Sequence, residues 1–187
     1  MAKKIYQIQI VLKGSKPKIW RRILIDSDTL LIDLHKIIQT TMGWTNSHLH
    51  LFSDGYEEYS PKEFEVEYTV DSRTVRLNQI LKKEKSSINY EYDFGDNWQH
   101  TLILEKILSP DNQLQIPRCI AGRRNCPPED CGGIWGYSEM LKILKQPDHE
   151  EYKSYMEWLD GDFDPDDFDK DKINDYLKEK DFGCIWL

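Results

Sequence analysis

The chain has 187 residues and a formal net charge of −8, with 31% charged, 39% hydrophobic and 12% aromatic residues. That is enough apolar material to bury a core and too much aromatic content for a disordered chain. No apolar run reaches the length of a membrane span, since the best candidate, Leu30 to Ile38, is interrupted by Asp33, His35 and Lys36.

The first residues, MAKKIYQIQIVLKG, lack the apolar core and cleavage site of a signal peptide. A cytoplasmic location is therefore expected, and with it four reduced cysteines rather than a disulfide framework. The charge is uneven: residues 1–50 hold eight Lys/Arg against three Asp/Glu, while residues 145–187 hold six against fourteen. We expect the basic part to dock on the acidic part. DNA is then not an expected partner, because a grip on phosphates needs clustered positive charge.

In chain order, Ile5–Leu12 alternates and reads as a strand closed by Gly14-Ser15-Lys16-Pro17, with Ile19–Ile25 as its hairpin partner. A helix follows from Asp28 to Gly43, with Leu30, Leu31, Leu34, Ile37, Ile38 and Met42 on one face. His48–Phe52 is a short strand, and an acidic, aromatic excursion runs through Glu67. Leu77–Leu81 makes one helical turn. Ile88–Phe94 and Thr101–Ile107 are two further strands around Gly95-Asp96-Asn97. Gly136–Gln146 is helical and stopped by Pro147, Asp148 and Glu151 form a capping box for a helix to Leu159, and Asp164–Asp169 starts one or two short helices ending near Lys180. This order predicts an α+β fold: a β-grasp-like mixed sheet with one long helix, then a helical C-terminal region. It fits one domain over residues 1–187, with sheet and packed helix in 1–110 and a loop and helices in 111–187.

Two polar stretches concentrate chemistry. In Tyr90–Phe94 the aromatics Tyr90, Tyr92 and Phe94 share one strand face, expected to be core, and Glu91 and Asp93 the other. The turn adds Asp96, Trp98 and His100, a set able to cap the turn or to bind a ligand or metal. CPPEDCGG, Cys126–Gly133, has two readings. A zinc site would use Cys119, Cys126 and Cys131, completed by His100 or His149, but the spacing lacks a paired CxxC knuckle. A stiff turn would use Pro127-Pro128 as an extended segment, Asp130 as a cap and Gly132-Gly133 for close backbone approach. The second reading is favoured. We further expect the two stretches to face one another across a cleft.

IWRRI (Ile19–Ile23), LHKIIQTTMGWTNSHLHLF (Leu34–Phe52), YEYDFGDNWQHTLILE (Tyr90–Glu105), CIAGRRNCPPEDCGGIWGY (Cys119–Tyr137), DHEEYKSYMEWL (Asp148–Leu159) and FDPDDFDKDKIN (Phe163–Asn174) fit one pattern in one order. Over nearly its whole length the chain resembles the plasmid pRiA4b ORF-3-like family. The resemblance implies occurrence on plasmids and near insertion sequences, and it assigns no reaction. The resolvase label carried by some members does not transfer, because the tail here is acidic and its arginine pairs are only Arg21-Arg22 and Arg123-Arg124. Among the residues matching the pattern are Trp20, Arg21, His35, Trp44, His48, Gly95 and Pro127.

The expected function is a binding module for a protein or small ligand. Its candidate residues are Asp93, Asp96, Trp98, His100, Glu129, Asp130, Gly132, Gly133, Tyr137 and His149. One alternative is a metal-dependent enzyme acting on nucleic acid or phosphoester, using Asp93, Asp96, His100, Glu129 and Asp130 with a divalent ion. The other is a DNA-associated regulator using the basic N-terminal surface. Phosphate-binding loops, dinucleotide fingerprints, HExxH and GxSxG are absent from the sequence. The apolar end, Phe182–Leu187, is expected to bury Trp186 on the fold or at a subunit contact.

Overall fold

A computed structural model of the chain describes residues 4–111, 113–161 and 163–184, so the expected burial of Trp186 falls outside the described residues. The framework is an eight-stranded mixed sheet. The alternating segments β1 (Ile5–Leu12) and β2 (Trp20–Asp26) pair as an antiparallel hairpin. β1 also pairs antiparallel with β7 (Trp98–Leu108), which forms the second expected hairpin with β6 (Ser87–Tyr92). Beyond β6 the sheet continues through β3 (His50–Ser53), β4 (Glu58–Ser60) and β5 (Val70–Asp71), and β8 (Arg118–Arg123) lies beside β2 at the other edge.

β4, β5 and β8 were not foreseen. β4 and β5 are three and two residues long, too short to show a period. In β8 only Cys119 is buried, so this edge strand lacks the alternation of a half-buried one.

Helix α1 (Leu31–Met42) buries Leu31, Leu34, Ile37, Ile38 and Met42, as the periodicity predicts, and ends at Gly43 in a left-handed conformation with φ 93°. It starts at Leu31 rather than Asp28, because Leu30 is extended in a bridge to Arg76 and Leu31 N–H donates to Val75 O at 3.0 Å. After the single turn α2 (Leu77–Ile80), helix α3 covers Gly133–Ile143, one turn earlier than expected. Helix α4 (Tyr152–Trp158) omits the expected capping box: the chain makes tight turns after Pro147, with His149 N–H on Gln146 O and Tyr152 N–H on His149 O. Helix α5 (Lys170–Tyr176) starts as predicted, with the Asp169 carboxylate accepting from the Asp171 and Lys172 amides. No helix among the described residues is long and apolar enough to cross a membrane.

The sheet face under α1 is built in cross-strand rows. His50, Tyr92 and Trp98 are register partners in one row, and Phe52, Tyr90, His100 and Leu12 in the next. All seven are at most 2% exposed. The basic and acidic parts of the sequence do meet, through Lys36 on α1 and Asp181 at 2.8 Å.

Three histidines lie in this core. The His35 ring donates through Nε2 to Asn46 Oδ1 at 2.7 Å, so its Nδ1 accepts from the Tyr90 hydroxyl at 2.9 Å. His35 stacks on His50 with ring centroids 3.4 Å apart. Burial is the first cause that holds all three rings neutral: His35 is lowered to about 4, His100 to about 3, and His50 well below its usual value. The unfolded chain protonates its histidines near pH 6.5, so below that pH it binds more protons than the fold. Stability is therefore complete above about pH 6.5 and falls as pH drops toward 4, by up to about 1.4 kcal/mol per pH unit for each ring. Urea midpoints should decline steeply between pH 6.5 and 5, above the range where ordinary carboxylates titrate. His100→Phe should flatten that decline, and a pH-independent midpoint across the interval would contradict burial of neutral rings.

Candidate metal centre

The segment Trp44–His48 follows α1, and its first four residues each hydrogen-bond to another part of the fold. The Trp44 indole N–H donates to Pro127 O at 3.1 Å, and its ring stacks on Tyr92 with centroids 4.9 Å apart.

 The Thr45 amide and hydroxyl donate to Glu129 Oε2 at 3.1 and 2.5 Å, and Asn46 N–H donates to Gln39 Oε1 at 3.0 Å. Ser47 N–H donates to the Tyr92 oxygen at 3.1 Å, and the Tyr92 hydroxyl in turn donates to Glu129 Oε1. Burial first, and then the Glu129 carboxylate, hold the Tyr92 phenol well above its usual range. The next residue, His48, precedes β3 and is only partly exposed.

The β6–β7 turn and the Cys126–Gly133 loop meet at this point. Gly132 N–H donates to Asp96 Oδ2 at 3.2 Å. Gly133, at φ 65°, lies so close to Asp96 O that a Cβ there would collide with it, so this approach requires glycine. Asp93 and Asp130 both adopt left-handed backbone, with φ 58° and 59°, a conformation that aspartate tolerates better than most residues. At Asp93 this ends β6 and turns the chain. Gly95 N–H then donates to Asp93 Oδ1 at 2.9 Å, which leaves Oδ2 facing His48.

His48 Nε2 lies 3.3 Å from Asp130 Oδ1 and 3.8 Å from Asp93 Oδ2. The nitrogen is buried, and its geometry to neither carboxylate is that of a hydrogen bond. Among the described residues, these three are the only group of three or more His, Cys, Asp or Glu side chains whose ligand atoms lie within 4.8 Å of one another. A divalent ion bound at about 2.1 Å holds its neighbouring ligand atoms roughly 3.0–4.2 Å apart, so the observed separations from His48 fit one.

The remaining candidates divide clearly. Trp98 and His100 belong to β7 and the core rather than to the turn, because the hairpin resumes pairing at Trp98. Phe94 is 41% exposed instead of sharing the face of Tyr90 and Tyr92, since the left-handed Asp93 breaks the alternation. Tyr137 is buried on α3, with its ring edge-on to Phe163 at 6.2 Å. His149 sits on the connection between α3 and α4, where its Nδ1 accepts from Glu151 N–H at 3.2 Å. Cys119, Cys126, Cys131 and His100 do not converge. Burial raises all three thiols, with Cys131 pushed up to about 12 and Cys126 well above its usual value.

His48 was missing from the candidate residues. Its alternation with His50 made it look like the first residue of a strand, and only its place in the family pattern singled it out.

Glu129 is a fastener in this arrangement. Its carboxylate accepts from Tyr92, from both donors of Thr45, and from Ser47 Oγ at 3.5 Å. Truncation would strand several part-buried donors at once. Glu129→Ala is expected to lower stability by about 2–3 kcal/mol in chemical denaturation. Glu129→Gln should cost less, because its amide oxygen can still accept from Thr45 and its amide N–H₂ can donate to the Tyr92 oxygen. Equal stability of Glu129→Ala and wild type would remove the carboxylate from this role.

Comparison with known proteins agrees with the resemblance in the sequence. The chain is 33% identical over 160 residues to the uncharacterized protein y4hQ of Sinorhizobium fredii (strain NBRC 101917 / NGR234), covering 84% of this chain and 82% of that one. It is similar in structure to MM3350 of Methanosarcina mazei Go1, a protein of unknown function, with a TM-score of 0.82 and 39% identity over 91% of this chain and 98% of that one. The family model described as plasmid pRiA4b ORF-3-like protein matches residues 4–172. The chain belongs to the plasmid pRiA4b ORF-3-like family.

Proposed function

We propose that the chain is a cytoplasmic binding module whose centre is a divalent cation held by His48, Asp93 and Asp130. One observation carries this reading: a buried imidazole nitrogen lies between two carboxylates and hydrogen-bonds to neither. A histidine kept only as their ion-pair partner would gain more by aligning with one of them.

One imidazole nitrogen and two carboxylate oxygens suit a first-row ion such as Mn²⁺, Fe²⁺ or Zn²⁺. The Asp130 side chain is 72% exposed, so the centre lies at the surface and its remaining coordination positions face solvent. A ligand with an oxygen donor could complete the shell from that side. This reading keeps Asp93 and Asp130 from the sequence-derived set and replaces the thiolate zinc site. It assigns binding and no reaction.

Metal analysis of the purified protein, followed by titration with Mn²⁺ and Zn²⁺, tests it. We expect one equivalent bound and a melting temperature that rises with ion concentration. His48→Ala and Asp93→Asn should weaken binding by at least roughly tenfold. Asn can retain the left-handed backbone and the bond from Gly95, so the metal-free Asp93→Asn protein should melt close to wild type. Ion binding unchanged in both variants would place any metal elsewhere and end this reading.

A further inference from the structure

A cavity of about 400 Å³ opens between the C-terminal end of α1, the loop before α5, and α5 itself. Its lining includes Arg21, Trp44, Phe168, Lys172, Ile173 and Tyr176. Arg21 belongs to β2 and is 2% exposed, which puts a permanent charge in the floor of the cavity. Buried charges are ordinarily paired, yet no carboxylate among the described residues forms a salt bridge with this one.

The guanidinium is partly satisfied by backbone. Nε donates to Thr41 O at 2.7 Å, at the end of α1, and one terminal nitrogen donates to Trp20 O and Arg123 O at 3.0 and 3.2 Å. Three of five N–H groups are thereby used. The second terminal nitrogen has no hydrogen-bond partner among the described residues. Bracing the end of α1 and the β2–β8 edge explains the first three bonds and leaves the last two N–H groups unexplained.

The walls are flat and apolar. The Phe168 ring lies over the guanidinium at 4.8 Å. It can do so because residue 122 is glycine, where any Cβ would come within 2.5 Å of that ring. Trp44 is fixed by its bond to Pro127, and Tyr176 is half exposed at the mouth. Asp167 and Asp169 also line the cavity with Lys172, but all three are exposed at the rim, where water screens their charges. Asp169 already caps α5. The floor charge is desolvated, so water screens it less than the charges at the rim.

We infer that this cavity binds a small molecule carrying a carboxylate on a flat apolar body. The carboxylate would accept the two remaining N–H groups of Arg21, and the body would lie among Trp44, Phe168 and Tyr176. The volume lies within the usual range for small-molecule sites, and the chemistry is that of an oriented, charge-assisted contact inside apolar walls.

The test uses 1-naphthoate and its neutral counterpart 1-naphthamide, titrated into protein dialysed against EDTA so that a cation at His48 cannot capture the carboxylate. The Arg21 Nε–H and Trp44 indole N–H resonances report binding in ¹H–¹⁵N spectra. We expect saturable shifts of both with naphthoate and at least tenfold weaker binding of naphthamide. Tyr176→Ala, at the exposed mouth, should weaken naphthoate several-fold while leaving the melting temperature near wild type. Arg21→Gln should abolish the preference for the acid wherever it folds. Equal affinity for acid and amide would show that the floor charge selects nothing, and absence of saturable shifts at both reporters would show that the cavity is not a site. Either result overturns the inference.

Discussion

The Glu129 carboxylate is the contact on which the arrangement of this end of the molecule depends. It reaches out of the Cys126–Gly133 loop and accepts from three residues on two other segments: Thr45 and Ser47 after α1, and Tyr92 at the end of β6. Hydrogen bonds to an ionised acceptor are stronger than neutral ones, and these share one part-buried group. They hold Asp130, the next residue, beside His48. The backbone of Pro127 and the amide of Gly132 extend the same fastening to Trp44 and Asp96. CPPEDCGG is therefore a rigid clasp between chain segments, in which proline limits the backbone and glycine allows the closest approach.

The polar residues inside the core serve the same end. Gln39 and His35 lie on the buried side of α1 and meet the Tyr90 hydroxyl, and both also hold Asn46. An apolar core would pack as tightly and would leave the segment after α1 with fewer partners. Tyr90 and Tyr92 alternate with more exposed residues on one strand, so a single sheet face supplies hydroxyls to both α1 and the clasp. The cost is a set of buried imidazoles whose neutrality ties the fold to pH.

How far the sequence revealed this depends on which residues share a period. The β1–β2 and β6–β7 hairpins and the face of α1 were legible because burial there follows the period of two or of a helical turn. β8 was not, because an edge strand with one buried residue has no period to show. The loops Asp93–His100 and Cys126–Gly133 come together, as their shared content of glycine and acid suggested, but they touch directly instead of facing one another across a cleft. The division of labour inside them was less accessible. Periodicity cannot say that Asp93 turns left-handed and ends the strand, which sends Phe94 outward and returns Trp98 and His100 to the core. Nor can it say that β3 begins at His50, which frees His48 from the sheet.

Both proposed sites depend on the short segment from Trp44 to His48. Trp44 and Thr45 line the cavity above Arg21, while His48 reaches the two aspartates. Each of the first four residues is fixed by a different part of the fold: Trp44 by Pro127, Thr45 by Glu129, Asn46 by Gln39 and His35, and Ser47 by Tyr92. A loop held residue by residue loses little entropy when something binds to it, because its backbone is already ordered. The buried polar atoms of α1 and β6 thus connect to binding through a physical route. They position a connection that, left to its own turn propensity, would sample many conformations, and they do so before any ligand arrives.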